Sequence, residues 1–382
     1  MYLQRILNLP SLLAMKSFFL LGPRSTGKSS LIEHQLAAQS VIIDLLQGEL
    51  FLQLSSKPWE LEAIIKAADR DFKYVIIDEI QKIPQLLDEV HRLIEKQGLR
   101  FLLTGSSSRK LKKEGVNLLA GRAWSAELFP LLRQEIPNYD LNRYLLYGGL
   151  PQVYLSKFPQ EELNAYINTY LKEEIQEEAL VRKLQSFARF LEVSALTSGN
   201  MINFASLSND VSIPASTIRE YYAILQDTLI GFILPAWTKS IKRKAISTAK
   251  FYYFDVGVRN KVAGIKNIDP HSDQYGQAFE HFIAMELRAY LSYLRIDEKL
   301  SYWQAQNGQE VDFIIGDDIA IEVKATTNPN SKHMKGLRAL AEENICKKYY
   351  LVCKCSNNKI IDNIHIINWN DFLEKMWLNK LM

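Results

Sequence analysis

The stretch Phe18-Phe19-Leu20-Leu21-Gly22-Pro23-Arg24-Ser25-Thr26-Gly27-Lys28-Ser29-Ser30 decides how the first third of the chain is read. An apolar run closes on a glycine, Gly-Lys-Ser follows four residues later, and a helix-like segment runs on to Ala38. This is G-x-x-x-x-G-K-S/T in the setting it requires, strand then loop then helix. Gly22 and Gly27 can take backbone angles closed to other residues, so successive N–H groups can turn inward on a phosphate chain. Lys28 can reach the β- and γ-phosphates and Ser29 can hold Mg²⁺. The helix start at Ser29 and Ser30 favours negative charge. A chance glycine turn before a helix is the alternative, and the full match with its flanks speaks against it.

Outward from this loop, 17–21 reads as a buried strand and 28–38 as the helix after it. Val41-Ile42-Ile43-Asp44 reads as a second strand, and 61–68 as a helix by its apolar spacing. The run Tyr74-Val75-Ile76-Ile77 then closes on Asp78-Glu79. One strand–helix unit beyond a phosphate loop, Asp78 fits a Mg²⁺ partner and Glu79 the base that polarises the attacking water. Pro84 near its start and Gly98 just past its end frame a helix over 84–97. The next strand, 99–105, ends on Thr104 and the cluster Ser106 to Ser108, so Thr104 is the candidate γ-phosphate sensor. A turn with capping serines explains that cluster equally well. Arg122, in Ala120-Gly121-Arg122, could supply charge to a transition state in cis or from a neighbour. It reads as well as a surface arginine beside a turn glycine. The strand-like 125–128 follows. Strands alternating with helices predict a parallel, doubly wound sheet.

Tyr147-Gly148-Gly149-Leu150-Pro151 punctuates the chain between helical segments. An amphipathic helix or helix pair is expected over 163–184, its glutamates forming a solvated face. A helix over 187–198 ends at Gly199. The stretch 203–214 reads as a helix and a turn and 214–225 as a second helix, spaced like a helix-turn-helix, and 230–237 and 250–254 read as two strands. The unit is expected to be a winged helix with its wing between those strands. That wing holds Lys239, Lys242, Arg243, Lys244 and Lys250 and no acidic residue. Lys242, Arg243 and Lys244 are the candidate phosphate contacts, with Arg219 at the exposed start of the recognition helix. A solvated basic loop on a protein-docking module is the competing reading.

A second constellation follows His271. A helix over 276–294 carries Glu280 near its start. Asn307-Gly308 signals a hairpin before Glu310-Val311-Asp312-Phe313-Ile314-Ile315. Gly316-Asp317-Asp318 turns into Ile319-Ala320-Ile321-Glu322-Val323-Lys324. With a period of two, Glu322 and Lys324 share one face, and a hairpin register can bring Asp312 beside Glu322. Two close carboxylates repel unless a divalent cation lies between them. Lys324 beside it could orient or deprotonate a water, which would make a metal-assisted phosphodiester site from Glu280, Asp312, Glu322 and Lys324. The alternative is an amphipathic hairpin with a surface Glu–Lys pair.

Composition bounds these readings. The chain has 382 residues, room for two or three domains. A net charge of +3 means that any nucleic-acid surface must be a local patch. Cys346, Cys353 and Cys355 cannot pair completely and lack a zinc-ligand spacing. With no signal-peptide pattern and no apolar run near the ~20 residues of a membrane span, a reduced cytoplasmic protein without a membrane partner is expected.

Six motifs come in order: Gly-Pro-Arg-Ser-Thr-Gly-Lys-Ser, Ile-Ile-Asp-Glu-Ile-Gln, Leu-Thr-Gly-Ser-Ser-Ser, Leu-Ala-Gly-Arg, Gly-Gly-Leu-Pro, and Gly-Gln-Glu-Val-Asp-Phe-Ile-Ile with its Ile-Glu-Val-Lys. Over nearly its whole length the chain resembles the prokaryotic AAA-type ATPases that carry a C-terminal domain of unknown function. The resemblance implies an ATP-binding AAA-like domain, a winged helix and a C-terminal domain similar to the restriction-endonuclease superfamily. By position, Lys28 and Ser29 match its phosphate loop and Asp78 and Glu79 its acidic strand end. Asp312, Glu322 and Lys324 match the nuclease-like core, with Glu280 the helical acid. Ser25-Thr26 stands where Gln-Val is expected, at positions that offer mainly backbone.

The expected architecture is an AAA-like P-loop α/β domain over 1–135, a helical linker or lid over 136–185, a winged helix over 186–265 and a restriction-endonuclease-like domain over 266–382. The expected function is ATP binding and hydrolysis with Mg²⁺, acting on or with DNA. The alternative is a nucleotide-dependent regulatory or scaffold protein whose C-terminal domain is an inactive docking module. A protein partner and a homo-oligomer both stay open.

Overall fold

The computed structural model describes residues 2–68, 71–107, 119, 121–171 and 184–381. Ser108, Ala120 and residues 172–183 of the expected long helix lie outside them. Strands β1 (Ser17–Leu21), β2 (Ser40–Asp44), β3 (Tyr74–Asp78), β4 (Arg100–Gly105) and β5 (Ala123–Glu127) form one parallel sheet. Its order is β2-β3-β4-β1-β5. The inner strands are near-continuous apolar runs because helices cover both faces. Alternation assigns the faces. Phe18, Leu20, Ile76 and Leu102 pack with Leu13, Leu31 and Leu36. Phe19, Val75, Ile77 and Leu103 pack with Leu86, Val90 and Leu93 on the other side. Helix Leu86–Gln97 ends at Gly98, whose φ of 65° is a left-handed cap. This order places β4 between β1 and β3, so all three C-terminal ends open on one edge.

The middle of the chain is helical around a small antiparallel pair, β6 (Gly231–Leu234) and β7 (Lys250–Tyr253). Helices Phe204–Val211 and Ala215–Asp227 are joined at Ser212, which takes φ 58°. The expected helix pair and both strands are therefore present, but the segment between the strands is not a free wing. It runs along the edge of β8 (Leu300–Gln304) in the C-terminal sheet. Trp237 N–H donates to Tyr302 O at 2.6 Å, Ile246 N–H to Gln304 O at 2.8 Å and Gln306 N–H to Lys244 O at 3.1 Å. The physical reason is that an uncovered edge strand offers unpaired N–H and C=O groups.

β8, β9 (Glu310–Ile315), β10 (Ile319–Lys324), β11 (Lys348–Cys353), β12 (Lys359–Ile361) and β13 (Ile364–Asn368) form a mixed sheet of order β12-β13-β11-β10-β9-β8. β10, β11 and β13 run parallel, and β9 pairs antiparallel with both β8 and β10. Helix Asp273–Tyr293 covers one face through Phe279, Phe282 and Leu287, which pack with Phe313, Ile321 and Val323. Helix Lys335–Ala341 covers the other through Leu337 and Leu340, packed with Val311, Ile314 and Ala320. The three cysteines are buried and unbridged. Phe129 and Leu131 at the end of the N-terminal domain and Tyr144 and Tyr154 of the linker belong to the same core as helix Asp273–Tyr293. Buried Glu286 on that helix accepts the Arg133 backbone N–H at 2.6 Å and Trp377 Nε1–H at 3.2 Å. Residues on both sides of the boundary at 135/136 thus form part of the C-terminal core. No helix among the described residues is long and apolar enough to cross a membrane.

Candidate functional site

The phosphate loop follows β1 at the open edge of the parallel sheet. A Cβ on Gly22 would lie 2.7 Å from the Leu128 carbonyl oxygen, so only glycine fits there. Gly27 caps helix Lys28–Leu36 at φ 95°, the left-handed region that glycine enters freely. Lys28 is buried, and its ammonium donates to Gly22 O at 2.7 Å and Pro23 O at 3.1 Å. Ser29 donates to Asp78 Oδ2 at 3.3 Å, and Ser30 is exposed in the first helical turn.

Two strands away, Asp78 and Glu79 close β3. The other Asp78 oxygen accepts a short hydrogen bond from buried Thr104 at the end of β4. Thr104 Oγ1 in turn accepts the Glu79 N–H at 3.1 Å. Glu79 takes φ 59°, which turns the chain sharply after Asp78. Its carboxylate is held by Gln81 Nε2, which also donates to Ser106 Oγ at 3.3 Å. The structure therefore brings Ser29, Asp78, Glu79 and Thr104 into one hydrogen-bonded chain, with Gln81 as an unforeseen member. Acceptor-rich oxygens beside a backbone cradle fit both Mg²⁺ and a phosphate chain. Arg122 is not brought there. It pairs with Glu95 at 2.5 Å, and the Ser17↔Ala123 register places it at the opposite end of the sheet from the loop. A role in cis at this site is corrected by that position.

Sequence reading missed Arg5. Its guanidinium is buried, donating to Glu135 Oε2 at 2.8 Å, Thr26 O at 2.8 Å and Phe129 O at 2.6 Å. It ties the N-terminal segment to the phosphate loop and to the stretch 129–135 that follows β5. Burial pulls its pKa down and Glu135 beside it outweighs that, so the pKa lies above the ordinary arginine value. A cavity of about 250 Å³ opens beside it, lined by Tyr2, Leu3, Gly27, Ser30, His34, Leu131, Pro151 and Leu155. Tyr2 and His34 stack at 3.6 Å between ring centroids. The only sequence signal was a lone charge in the apolar stretch Leu3-Gln4-Arg5-Ile6-Leu7.

The second group lies on β9 and β10. Asp312 and Glu322 are both buried. Asp312 Oδ2 accepts the Val323 N–H at 2.8 Å and stands 3.6 Å from Lys324 Nζ, which is 2.6 Å from Glu322 Oε1. Burial, then the Asp312 charge, raises the Glu322 pKa well above the ordinary carboxylate value. Glu322 Oε2 is buried with no hydrogen-bond partner. A buried carboxylate oxygen without a partner is uncommon and marks this spot as one to explain. Glu280 is held differently. Its Oε1 accepts Tyr252 Oη–H at 2.5 Å and lies 3.8 Å from Lys250 Nζ, both on β7. Burial and then Asp312 push its pKa up to about 7. Among the described residues, no three His, Cys, Asp or Glu side chains are gathered closely enough to hold a metal ion.

The expected nucleic-acid contacts are largely engaged within the chain. Lys242 Nζ donates to Glu342 O at 2.5 Å. Arg243 donates to Ala339 O at 2.9 Å and pairs with Glu342 at 2.5 Å. Buried Glu343 accepts the backbone N–H groups of Ile241 and Lys242. Lys250 is buried rather than part of an exposed wing. The exposed Lys244 side chain and Arg219, over the Phe204 ring at 4.6 Å, face outward. The acids that neutralise the basic segment lie about a hundred residues downstream, beyond any local charge count.

Residues 15–136 match the AAA domain family, and residues 275–372 match a domain of unknown function, DUF4143. Between them, residues 138–269 match another domain of unknown function, DUF8612. The chain thus joins an AAA domain to a C-terminal DUF4143 domain. An uncharacterized protein of Mycobacterium tuberculosis is 26% identical over 266 residues, 67% of this chain and 59% of its own length. One of Methanocaldococcus jannaschii is 25% identical over 286 residues, covering 67% and 62% of the two chains. One of Haemophilus influenzae is 23% identical over 318 residues, covering 78% and 77%. The chain therefore spans about three fifths of the length of the first two relatives.

Proposed function

We propose that this protein binds and hydrolyses ATP with Mg²⁺ in its N-terminal third, and that nucleotide state alters how the middle module and C-terminal domain pack. The observation that carries this reading is the hydrogen-bonded chain Ser29–Asp78–Thr104–Glu79 facing the Lys28 loop. Lys28 exchanges carbonyl partners for the β- and γ-phosphate oxygens, a stronger charge-assisted pairing. Ser29 and Asp78 would hold Mg²⁺, which would supply charge neutralisation across those phosphates. Glu79 accepts the proton of the attacking water, and Thr104 orients Asp78 and senses the γ-phosphate. The cavity beside Arg5 takes the base against Tyr2 and His34. Ser107 Oγ, just past Thr104, donates to Asp227 O at 3.4 Å, which offers a route to helix Ala215–Asp227.

Calorimetry with ATP and with inorganic tripolyphosphate tests this. Tyr2→Ala should weaken ATP about tenfold and leave tripolyphosphate unchanged, because stacking is lost and the phosphate cradle is not. Equal losses for both ligands would remove the base from that cavity.

A second reading concerns the C-terminal domain, which we take to be restriction-endonuclease-like and to hold a divalent cation for phosphodiester hydrolysis in DNA. The orphan Glu322 Oε2 beside Asp312 and Lys324 supports it. The docking-module alternative draws support from the basic segment folded onto Glu342 and Glu343 and from the helix pair with its strands, a winged-helix-like unit used for packing. Incubation with Mg²⁺ or Mn²⁺ and linear, nicked and branched DNA separates them. Cleavage lost in Asp312→Ala supports hydrolysis, and no cleavage with no metal binding supports docking.

A further inference from the structure

The turn after β3 carries a side chain that is only half used. Glu79 takes φ 59°, and the 3₁₀ helix Ile80–Lys82 that follows packs against β4. Ile80 and Ile83 are buried in the core and fix its backbone. Gln81 between them is 6% exposed. Its Nε2 donates to Glu79 Oε2 and, at 3.3 Å, to Ser106 Oγ. An ionised carboxylate only accepts, so Glu79 decides which end of the amide carries the donor. The place of the other end follows. Gln81 Oε1 is buried with no hydrogen-bond partner among the described residues. A buried acceptor is rarely left idle, so this one points to a donor that comes with the ligand. Its neighbours locate it. A Cβ on Gly105 would lie 2.8 Å from Oε1. Gly105 ends β4 beside Leu21 of β1, and its carbonyl accepts the N–H of Gly22, where the phosphate loop opens, at 3.2 Å. Oε1 therefore lies where β4 meets the phosphate loop, on the same amide that holds Glu79.

We propose that Gln81 is a catalytic residue of ATP hydrolysis, whose Oε1 holds the attacking water while its Nε2 holds the base that deprotonates it. This rests on the ATPase reading above. One O–H of the water points to Glu79 and the other to Gln81 Oε1, which leaves a lone pair directed at the γ-phosphorus. As the new P–O bond forms, the bond from that phosphorus to the β,γ-bridging oxygen breaks, and its electron pair leaves on ADP. Glu79 takes one proton of the water, and the other stays on the new phosphate. An amide suits this place because it offers donor and acceptor in one rigid plane and stays neutral. Two acceptors fix the direction of the water, and that orientation lowers the barrier. A glutamine that only braces the turn would make the same two donor contacts and leave Oε1 idle, and that difference is measurable.

The experiment measures ATP turnover on the full chain, with calorimetric affinities for ATP, for ADP with beryllium fluoride and for ADP with aluminium fluoride. The beryllium complex copies bound ATP, and the aluminium complex copies the transition state with its in-line water. Gln81→Met keeps the length of the side chain and removes both polar ends. It should bind ATP and ADP–beryllium fluoride within about threefold of the parent, bind ADP–aluminium fluoride about tenfold more weakly and turn over about thirtyfold more slowly. Gln81→Glu serves where Gln81→Met does not fold. It keeps an acceptor for the water but must be protonated to donate to Glu79, so its turnover should fall more steeply than the parent's as pH rises from about 5 to about 8. Turnover of Gln81→Met equal to the parent's, equal losses for the two fluoride complexes, or a Gln81→Glu pH profile parallel to the parent's overturns the role of Gln81 and leaves the ATPase reading standing. A parent chain that does not turn over ATP overturns both.

Discussion

At the end of β1, Lys28 donates to the neutral carbonyl oxygens of Gly22 and Pro23. In the C-terminal domain, Lys250 and Lys324 face the carboxylates of Glu310, Glu280, Glu322 and Asp312. The first lysine is held by weak partners that an anion displaces. The other two are held by full charges, which only a competing cation displaces. One lysine is held by neutral acceptors, and the other two are locked in buried ion pairs.

The largest expected effect breaks the first half of this comparison. Lys28→Ala should lower ATP affinity by about a hundredfold, since the loop's backbone N–H groups remain but the charge at the β- and γ-phosphates is gone. Unchanged affinity in the folded variant would show that the loop does not use its lysine on an anion. Asp312→Ala addresses the second half. It should remove Mn²⁺ binding while ATP turnover stays within about twofold, because independent sites add. Coupled loss of both would mean that the sites are not separate.

Protons sharpen the contrast further. Burial raises Glu286 to about 7, and the backbone N–H of Arg133 and the Trp377 indole only partly offset this. Its carboxyl stays protonated in the folded chain while the unfolded chain ionises near the ordinary value. Stability from this site is therefore full below that value and is lost as pH rises towards 7. The parent should lose on the order of 2 kcal/mol relative to Glu286→Gln between pH 4.5 and 7.5. Denaturant titrations at the two pH values check this, and parallel curves would place a charged Glu286 in the fold.

The smallest effect concerns the basic segment. Neutralising Lys242, Arg243 and Lys244 together should lower the thermal midpoint by about 2 °C through lost docking onto Glu342 and Glu343, and leave the salt dependence of DNA binding unchanged. A salt slope reduced by about one per lost contact would instead restore these residues as phosphate contacts.

What was legible follows from where each signal lies along the chain. The five parallel strands could be read because their apolar runs and closing residues are local, as with Tyr74-Val75-Ile76-Ile77-Asp78. The helix pair at Phe204–Val211 and Ala215–Asp227 and the hairpin at Gly316 were local too. Arg5 was not legible, because Glu135 lies 130 residues away and no spacing announces the pair. Lys250 was misread as a wing cation for the same reason. Its sequence neighbours carry no acid, and Glu310 lies 60 residues on. Glu79's left-handed backbone and the Gln81 bridge lie beyond what residue type alone conveys.

The most direct test of the central claim is Glu79→Gln, with ATP affinity and ATP turnover measured on one preparation. The amide keeps the shape and cannot accept the water's proton. The account predicts affinity within about threefold of the parent and turnover down by about a hundredfold or more. Turnover equal to the parent, with ATP bound, would contradict it.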